Sequence, residues 1–328
     1  MQVRVDRRVE LFSILFHLAG NDEYRAFDTP YRRAVDAWFG PFHDHPAVGK
    51  TRELHGARGI GYNAPISLAV FLGDDLGIPA ELLARPDELD PRWRGVAISA
   101  YVDAVRTFST DARAAAFFDS QRPYFESVEH ALDRALSGVD IEAWFAAMLG
   151  PRPGATFVIV PGLLTGPWSY DASTRDACGG RAWMYQVIEL EQADPSGLPQ
   201  PSRTTLELVA HEMAHAYVNP VIEQHADALA VAEPLYVKHA AAMQQQHYPS
   251  SRIMVEESLV RAIAALFARD RWGNAAASEL VSADVARGFT WNIELAKWID
   301  GYPKRPLALE AMVPELARWF GAAAEASS

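Results

Sequence analysis

Hydrophobic residues recur at intervals of three and four along the first part of the chain, which is the spacing of one helix face. Following the first few residues, this spacing is carried by Val9, Phe12, Leu15, Phe16 and Ala19. It predicts a short strand and then a helix at the N-terminus. The stretches "TPYRRAVDAWFGPF", "RWRGVAISAYVDAVRTFS" and "FESVEHALDRALS" show helical patterning too, separated by breaks rich in Gly, Pro and Asp. Residues 1–150 are therefore predicted to form a mainly helical N-terminal region.

The pattern changes after "LGPRPGA", where prolines and glycines interrupt the chain. Two runs rich in β-branched and aromatic residues follow, "ATFVIVPGLL" and "RAWMYQVIEL", joined by a turn-rich segment containing "TGPWSYDAS". We predict that they pair as an antiparallel ribbon, and either strand is a candidate to bind an extended peptide at a sheet edge. The predicted fold is mainly α with a small antiparallel β-sheet (α+β), divided into residues 1–150 and 151–328.

The stretch "TTLELVAHEMAHAYVNP" combines helical spacing with chemically active side chains. Thr204 and Glu207 form a capping-box pattern with Thr204 as the N-cap. This pattern predicts a helix that starts directly after Thr204 and runs through His215. Apolar residues recur on this helix at Leu206, Val209, Met213 and Tyr217.

His211 and His215 lie four residues apart, so a helix presents both imidazoles on one face. Two imidazoles in that arrangement can ligate one Zn²⁺, and Glu212, about a hundred degrees round the helix, is placed to act as the base that deprotonates water. The alternative is a helix with two hydrogen-bonded histidines and a solvated glutamate. The capping box, the preceding strand pair and the flanking apolar residues favour the zinc site.

A catalytic zinc needs a third protein ligand and an open position. The extended motif HExxHxxGxxH does not apply, because Val218 and Val221 occupy its glycine and third-histidine positions. The "RIMVEESLVRAIAALF" segment predicts an apolar helix with adjacent carboxylates, and Arg261 follows Glu257 by one turn. Periodicity does not separate Glu256 from Glu257. The remaining carboxylate and histidine candidates are Glu223, His225, Asp227 and Glu233.

The segments "HEMAHAYVNP" and "EESLVRAI" resemble the gluzincins, zinc metallopeptidases that take a glutamate from a later helix as third ligand. The whole chain resembles the bacterial domain-of-unknown-function family 4932 through "VELFSILFHLAGNDEY", "HPAV", "GIGYNAPISLAVFL", "EESLVRA" and "RGFTWNIELAKWIDGYP". The resemblance implies a zincin-like catalytic unit in residues 151–328 and favours Glu257 as the metal ligand. Candidates to stabilise the transition state, or to support the ligands, are Arg261, Tyr302, Tyr236 and His225.

The sequence therefore predicts a zinc-dependent hydrolase whose metal ligands are His211, His215 and Glu257 and whose base is Glu212. A metallopeptidase acting on a peptide or protein is the favoured form. A zinc hydrolase of a non-peptide amide or ester, and a non-catalytic binding protein on a zincin fold, remain as alternatives. No other cofactor is predicted.

The composition of the chain limits the classes of partner and of catalytic group that it can be expected to have. The formal charge of −12 and the lack of a Lys/Arg cluster argue against a nucleic-acid partner, and no apolar run is long enough to predict a membrane span. Cys178 is the single cysteine and lies in the loop-like "DACGG". This setting favours a cysteine without a catalytic role over a catalytic thiol. The first twenty residues lack the uninterrupted apolar core of a signal peptide. The chain as given is expected to be cytoplasmic, or exported if a signal was trimmed, and the oligomeric state stays open.

Overall fold

The computed structural model describes residues 1–80, 82, 89–152, 154–175, 182–190, 193–194 and 196–326. Two compact units are formed. The first contains Met1–Gly138 and Gly154–Leu206, and the second contains Val139–Pro153 and Glu207–Ser328. The boundary predicted between residues 150 and 151 lies within the short segment of the second unit, and the strand-rich region belongs to the first.

The first unit begins with strand β1, Gln2–Val3, and helix α1, Arg7–Ala19, which confirms the strand and helix predicted there. The Asp6 side chain accepts a hydrogen bond from the backbone N–H of Arg8 and so caps α1. Gly20 ends the helix in the left-handed conformation at φ +96°, which glycine adopts without strain. Most of α1 is buried, and it packs against α3, Pro46–Arg58, and α4, Asn63–Phe71.

The three stretches predicted as helical overlap with α2, Pro30–Phe39; α5, Ile98–Asp111; and α7, Arg122–Ser137. Helix α6, Ala114–Ser120, lies between the last two and outside the predicted stretches. Short 3₁₀ turns occur at Asp22–Tyr24, Gly40–Phe42 and Pro91–Trp93. Helix α7 packs against β1 and against β2, Ala155–Gly162. The predicted mainly helical fold with a small sheet is confirmed.

The sheet is mixed, so the predicted antiparallel ribbon is wrong. Its other two strands are β3, Tyr170–Arg175, and β4, Ala182–Glu189, and the strand order is β1-β2-β4-β3. Strands β2 and β4 pair in parallel, while β3 pairs antiparallel with β4. The reason is that the connection predicted as a turn contains β3. Since the chain reverses direction once into β3 and again into β4, β4 runs the same way as β2.

Strand order removes one of the two predicted peptide-binding edges. β4 lies between β2 and β3, so "RAWMYQVIEL" has no free row of backbone groups to offer an added strand. On the side of β2 opposite β4, β1 pairs in parallel with Val158 and Ile159. This pairing covers two residues of that edge, and peptide binding along the rest of "ATFVIVPGLL" stays a prediction.

The helix predicted with Thr204 as its N-cap is α9, Arg203–Gln224, and it begins two residues earlier than expected. Ser202 precedes it, and the Ser202 N–H donates to the hydroxyl of Thr205 at 3.1 Å. Thr205 thus performs the backward hydrogen bond that the capping-box pattern assigned to Glu207, two residues further on. Glu207 is buried within the helix.

The second unit is built around α12, Ser251–Trp272, capped by the Ser250 hydroxyl, which accepts from the Ile253 N–H. Nearly every residue from Met254 to Ala268 is buried, so this helix is central and enclosed on all sides. The elements around it are α8, Ile141–Leu149; α10, Ala226–Leu229; a 3₁₀ turn, Ala230–Ala232; α11, Glu233–Gln245; α13, Asn274–Ala286; α14, Asn292–Asp300; and α15, Leu309–Ala326. Helices α13 and α14 pack most extensively on α12.

Candidate metal centre

Two helices of the second unit bring His211, His215 and Glu257 together. The histidines are one turn apart on α9, and their Nε2 atoms are 3.3 Å from each other. From α12, the Glu257 Oε2 atom lies 3.8 Å from His211 Nε2, and Oε1 lies 3.5 Å from His215 Nε2. The two Nε2 atoms and the Glu257 carboxylate group thus form a small triangle, in which one ligand atom from each residue lies within 4.8 Å of the others.

The dimensions of this triangle fit a tetrahedral metal ion. Bonds of about 2.1 Å to zinc place neighbouring ligand atoms about 3.4 Å apart. The two Nε2 atoms are 3.3 Å apart, which is close to that value, and each faces a different Glu257 oxygen, at 3.5 Å for His215 and 3.8 Å for His211. Among the described residues, this is the group of histidine and acidic side chains whose ligand atoms converge within 4.8 Å.

The surroundings of both histidines suit metal ligation. His215 Nδ1 lies 3.1 Å from the Asn219 side-chain oxygen, which can only accept, so His215 donates from Nδ1 and directs Nε2 toward His211. Burial, with the neighbouring His215 and the cations Arg261 and Arg287, holds the pKa of His211 well below its ordinary value. Folding therefore favours the neutral form of His211, which is the form that binds a metal.

Glu257 supplies the negative charge of the cluster. Its Oε2 atom is buried, and within the described part of the chain it has no hydrogen-bond donor, although Arg261 Nε lies 3.3 Å away as an ion pair. A buried carboxylate oxygen without a hydrogen bond is costly unless a cation satisfies it. The side chains of His215 and Glu257 are each 10% exposed and that of His211 is 19% exposed. The cluster therefore reaches solvent mainly at His211, where a water or substrate could enter.

Arg261 supports Glu257 from one helical turn further along α12. Its Nη1 donates to Asp284 Oδ1 at 2.8 Å and its Nη2 to the Tyr248 hydroxyl at 3.0 Å, and its guanidinium lies 4.8 Å from the centre of the Phe289 ring. All three nitrogens of the guanidinium therefore have protein partners. This geometry assigns Arg261 to holding the Glu257 carboxylate, and makes it a poor candidate for direct contact with substrate.

Tyr248 and Asn219 are two members of the site that the sequence reasoning missed. Burial and the charge of Glu257 raise the pKa of Tyr248, so its hydroxyl stays protonated and can donate while accepting from Arg261. Asn219 follows His215 by four residues, so the spacing that pairs the two histidines on one face could have revealed it. Tyr248 lies in the irregular segment between α11 and α12, where no periodicity marks it.

Glu256 does not belong to the group of converging ligand atoms. Its Oε1 atom accepts from Arg252 Nη1 at 2.6 Å, and the same nitrogen lies 3.3 Å from Glu223 Oε1. Although Arg252 opposes it, burial raises the pKa of Glu256 to about 7. The structure thus brings Glu257 to the histidines and places Glu256 and Glu223 in a separate ion-pair cluster.

Glu212 is buried on α9 beside the triangle, with 7% of its surface exposed. One residue on a helix advances about a hundred degrees, so Glu212 does not share the face of the two ligand histidines but borders it. A carboxylate in that position can take a proton from a water next to the metal without binding the metal itself.

The remaining candidates have other contacts. The Tyr302 hydroxyl donates to Glu315 Oε1 at 3.4 Å and its ring packs on Trp298, while the Tyr236 hydroxyl donates to the Tyr248 carbonyl at 3.3 Å. None of the described contacts of these two tyrosines is with the triangle. His225, Asp227 and Glu233 lie around α10 and the start of α11, and the converging metal group does not include them. Cys178 lies outside the described residues.

Comparison with known proteins identifies a family and nothing further. The family described as "Domain of unknown function (DUF4932)" matches residues 1–318. No curated protein matches the chain, and no solved structure matches it. Among the helices of the described ranges, none has both the length and the apolar character needed to cross a bilayer.

Proposed function

The chain belongs to the DUF4932 family, which matches it over residues 1–318, and on the geometry of its metal centre we propose that it is a zinc-dependent metallopeptidase. The observation that carries the proposal is the triangle of His211, His215 and Glu257, whose ligand atoms all lie within 4.8 Å of one another. Two imidazole nitrogens and one glutamate oxygen are the ligand set of catalytic zinc sites of the gluzincin type. Glu212 next to the first histidine completes the chemistry.

The proposed division of roles follows from position. A bound zinc ion supplies Lewis acidity, which acidifies water and polarises the carbonyl of a substrate. Glu212 accepts the proton of the attacking water and passes it to the leaving amine, since it borders the ligand face without occupying it. Asn219 orients His215, and Arg261 orients Glu257, so the three ligands are held before substrate arrives.

Cleavage of a peptide bond is the favoured reaction within this class. Water activation by HExxH does not by itself select the acyl group, so the substrate is the least constrained part of the proposal. A screen of mixed peptides against simple esters and non-peptide amides separates the alternatives. Cleavage of peptides supports the peptidase assignment, and hydrolysis confined to non-peptide compounds would replace it with the wider hydrolase class.

The role of Glu212 is tested by Glu212→Gln with Glu256→Gln as the matched control. Both changes replace a buried carboxylate with its neutral isostere, but only Glu212 borders the ligand face. Glu212→Gln should keep its zinc and lose about 100- to 10,000-fold in hydrolysis, the usual contribution of a general base. Glu256→Gln should keep both. Loss of zinc from Glu212→Gln would contradict the assignment as base, and full activity would contradict the mechanism.

A further inference from the structure

The segment from Asp284 to Phe289 wraps around the guanidinium that holds Glu257. At one end Asp284 Oδ1 accepts from Arg261 Nη1 at 2.8 Å, and at the other the Phe289 ring lies 4.8 Å from the Arg261 guanidinium. Arg261 Nε is in turn 3.3 Å from Glu257 Oε2. Arg287 lies between these two contacts in the chain, one helical turn after Asp284, so its backbone is close to the residues that hold Arg261.

The backbone that carries Arg287 is held firmly. Arg287 forms the C-cap of α13, and its carbonyl accepts from the Gln246 side-chain amide at 2.7 Å. The following Gly288 has φ +103° and packs so tightly on Ala242 that an added Cβ would come within 2.5 Å of the Ala242 Cβ. The Cα–Cβ bond of Arg287 therefore starts from a fixed position.

The Arg287 side chain itself is exposed. Of the described acidic groups, none lies within ion-pair distance of it, whereas Arg252, Arg261 and Arg269 of the same unit each contact carboxylates. Its charge, with that of Arg261, opposes the rise that burial causes in the pKa of Asp284, but the Asp284 carboxylate already accepts from Arg261. An exposed guanidinium without a salt bridge thus lies one helical turn beyond the carboxylate that holds Arg261.

This cation is unusual in its setting. The chain carries a formal charge of −12, so its surface would on average repel an anionic substrate. An exposed guanidinium reverses that preference locally. Its planar donors match the two oxygens of a carboxylate and form paired, charge-assisted hydrogen bonds.

We propose that Arg287 is the specificity residue of this site and binds a carboxylate of the substrate. The inference rests on the proposed function, since it takes the metal centre to be the place where a substrate binds. The carboxylate is either the free C-terminus of a peptide, which would make the enzyme a carboxypeptidase, or an acidic side chain near the cleaved bond. Both present the same group to the same guanidinium.

Four mercaptoacetyl dipeptide probes test the proposal by binding, with the thiol directed to the metal. The first two differ only in ending as a carboxylate or a carboxamide, and the second two both end as carboxamides but carry Glu or Gln. Calorimetry on the zinc-loaded protein should show one carboxylate probe binding about 10- to 100-fold tighter than its uncharged twin, the range of a charge-assisted hydrogen bond. The pair that shows the preference identifies the source of the carboxylate.

Variants test whether the preference for a carboxylate depends on Arg287. Arg287→Gln should abolish the difference in affinity between the carboxylate probe and its uncharged counterpart. Arg287→Lys should retain part of that difference. Arg318→Gln, which removes another exposed arginine of the same unit, should leave it unchanged. The proposal is overturned if the parent binds both twins of each pair equally, binds none of the four probes, or keeps its preference in Arg287→Gln.

Failure of this proposal can be told apart from failure of the proposed function. The preference for a charged probe is measured by binding, so it does not depend on whether the protein catalyses any reaction. A protein that discriminates the probes through Arg287 but cleaves no peptide contradicts the peptidase and leaves the carboxylate site standing. A protein that cleaves acidic, neutral and amidated peptides with equal kcat/KM contradicts the role of Arg287 alone.

Discussion

Replacing Glu257 with alanine should remove one of three metal ligands, whereas the same change at Glu256, one residue earlier, should not. The two glutamates have the same local setting in sequence and are both buried, at 7% and 5% exposure. They differ in direction: Glu257 lies 3.5 Å from His215 Nε2, and Glu256 is paired with Arg252 at 2.6 Å. Each variant is therefore the control for the other.

The size of the effect follows from the loss of a direct bond. Removing a group that merely supports a metal ligand costs about 10- to 100-fold in affinity, so loss of a ligand should cost about 100-fold or more. At free zinc equal to a hundred times the parent Kd, binding stabilises the folded state by about 2.7 kcal/mol. For a variant with a hundredfold weaker Kd, the same zinc contributes only about 0.4 kcal/mol. Zinc-dependent stabilisation should therefore fall by about 2.3 kcal/mol in Glu257→Ala.

Two measurements check this expectation. Competition against a chromogenic zinc chelator gives the Kd of each variant, and urea unfolding with and without zinc gives the stabilisation. Glu256→Ala should match the parent in both, even if the loss of its Arg252 partner lowers stability equally with and without zinc. The reasoning is refuted if Glu256→Ala weakens zinc binding as much as Glu257→Ala, or if Glu257→Ala binds zinc like the parent.

Two further predictions concern the support of the site and the core of the first unit. Asn219→Ala should weaken zinc binding by about 10- to 100-fold, because His215 loses the acceptor that fixes its tautomer; chelator competition measures this, and an unchanged Kd would show that the hydrogen bond is dispensable. Glu10 is fully buried, and burial raises its pKa from 4.5 to about 8, so folding favours its protonated form. Between those pH values the unfolded state binds fewer protons, and the parent should lose up to about 1.4 kcal/mol of stability per pH unit relative to Glu10→Gln as pH rises. Equal pH dependence of the two proteins in urea unfolding would contradict that account.

The sequence predicted the helix that carries His211 and His215 well, because the pattern that indicates it lies within one segment of the chain. The i, i+4 spacing of His211 and His215 fixes their common face once a helix is formed, and the helix extends over Arg203–Gln224. The strand and helix at the N-terminus were equally readable. What decides those elements is periodicity and capping, which a single segment contains in full.

Other features depend on contacts distant in sequence. Periodicity could not separate Glu256 from Glu257 because α12 is buried on all sides and has no polar face to give the direction. The choice of Glu257, made from the family resemblance, agrees with the ion pairs of the two glutamates. Arg252 lies one turn before Glu256 and pairs with it, whereas Arg261 lies one turn after Glu257 and pairs with that residue. The parallel pairing of β2 with β4 was missed because β3 looked like a turn. Tyr248 and Asp284 reach Arg261 from separate segments, so no local pattern marks them.

The most direct test of the account is the metal content of the protein. Elemental analysis of protein purified without chelator, and again after zinc is added back and excess removed, should give about one zinc per chain. A His211→Ala/His215→Ala double variant prepared in parallel should retain none, which excludes adventitious binding elsewhere. Absence of tightly bound zinc in the parent after add-back, or equal zinc in the double variant, would contradict the claim that His211, His215 and Glu257 form a metal centre.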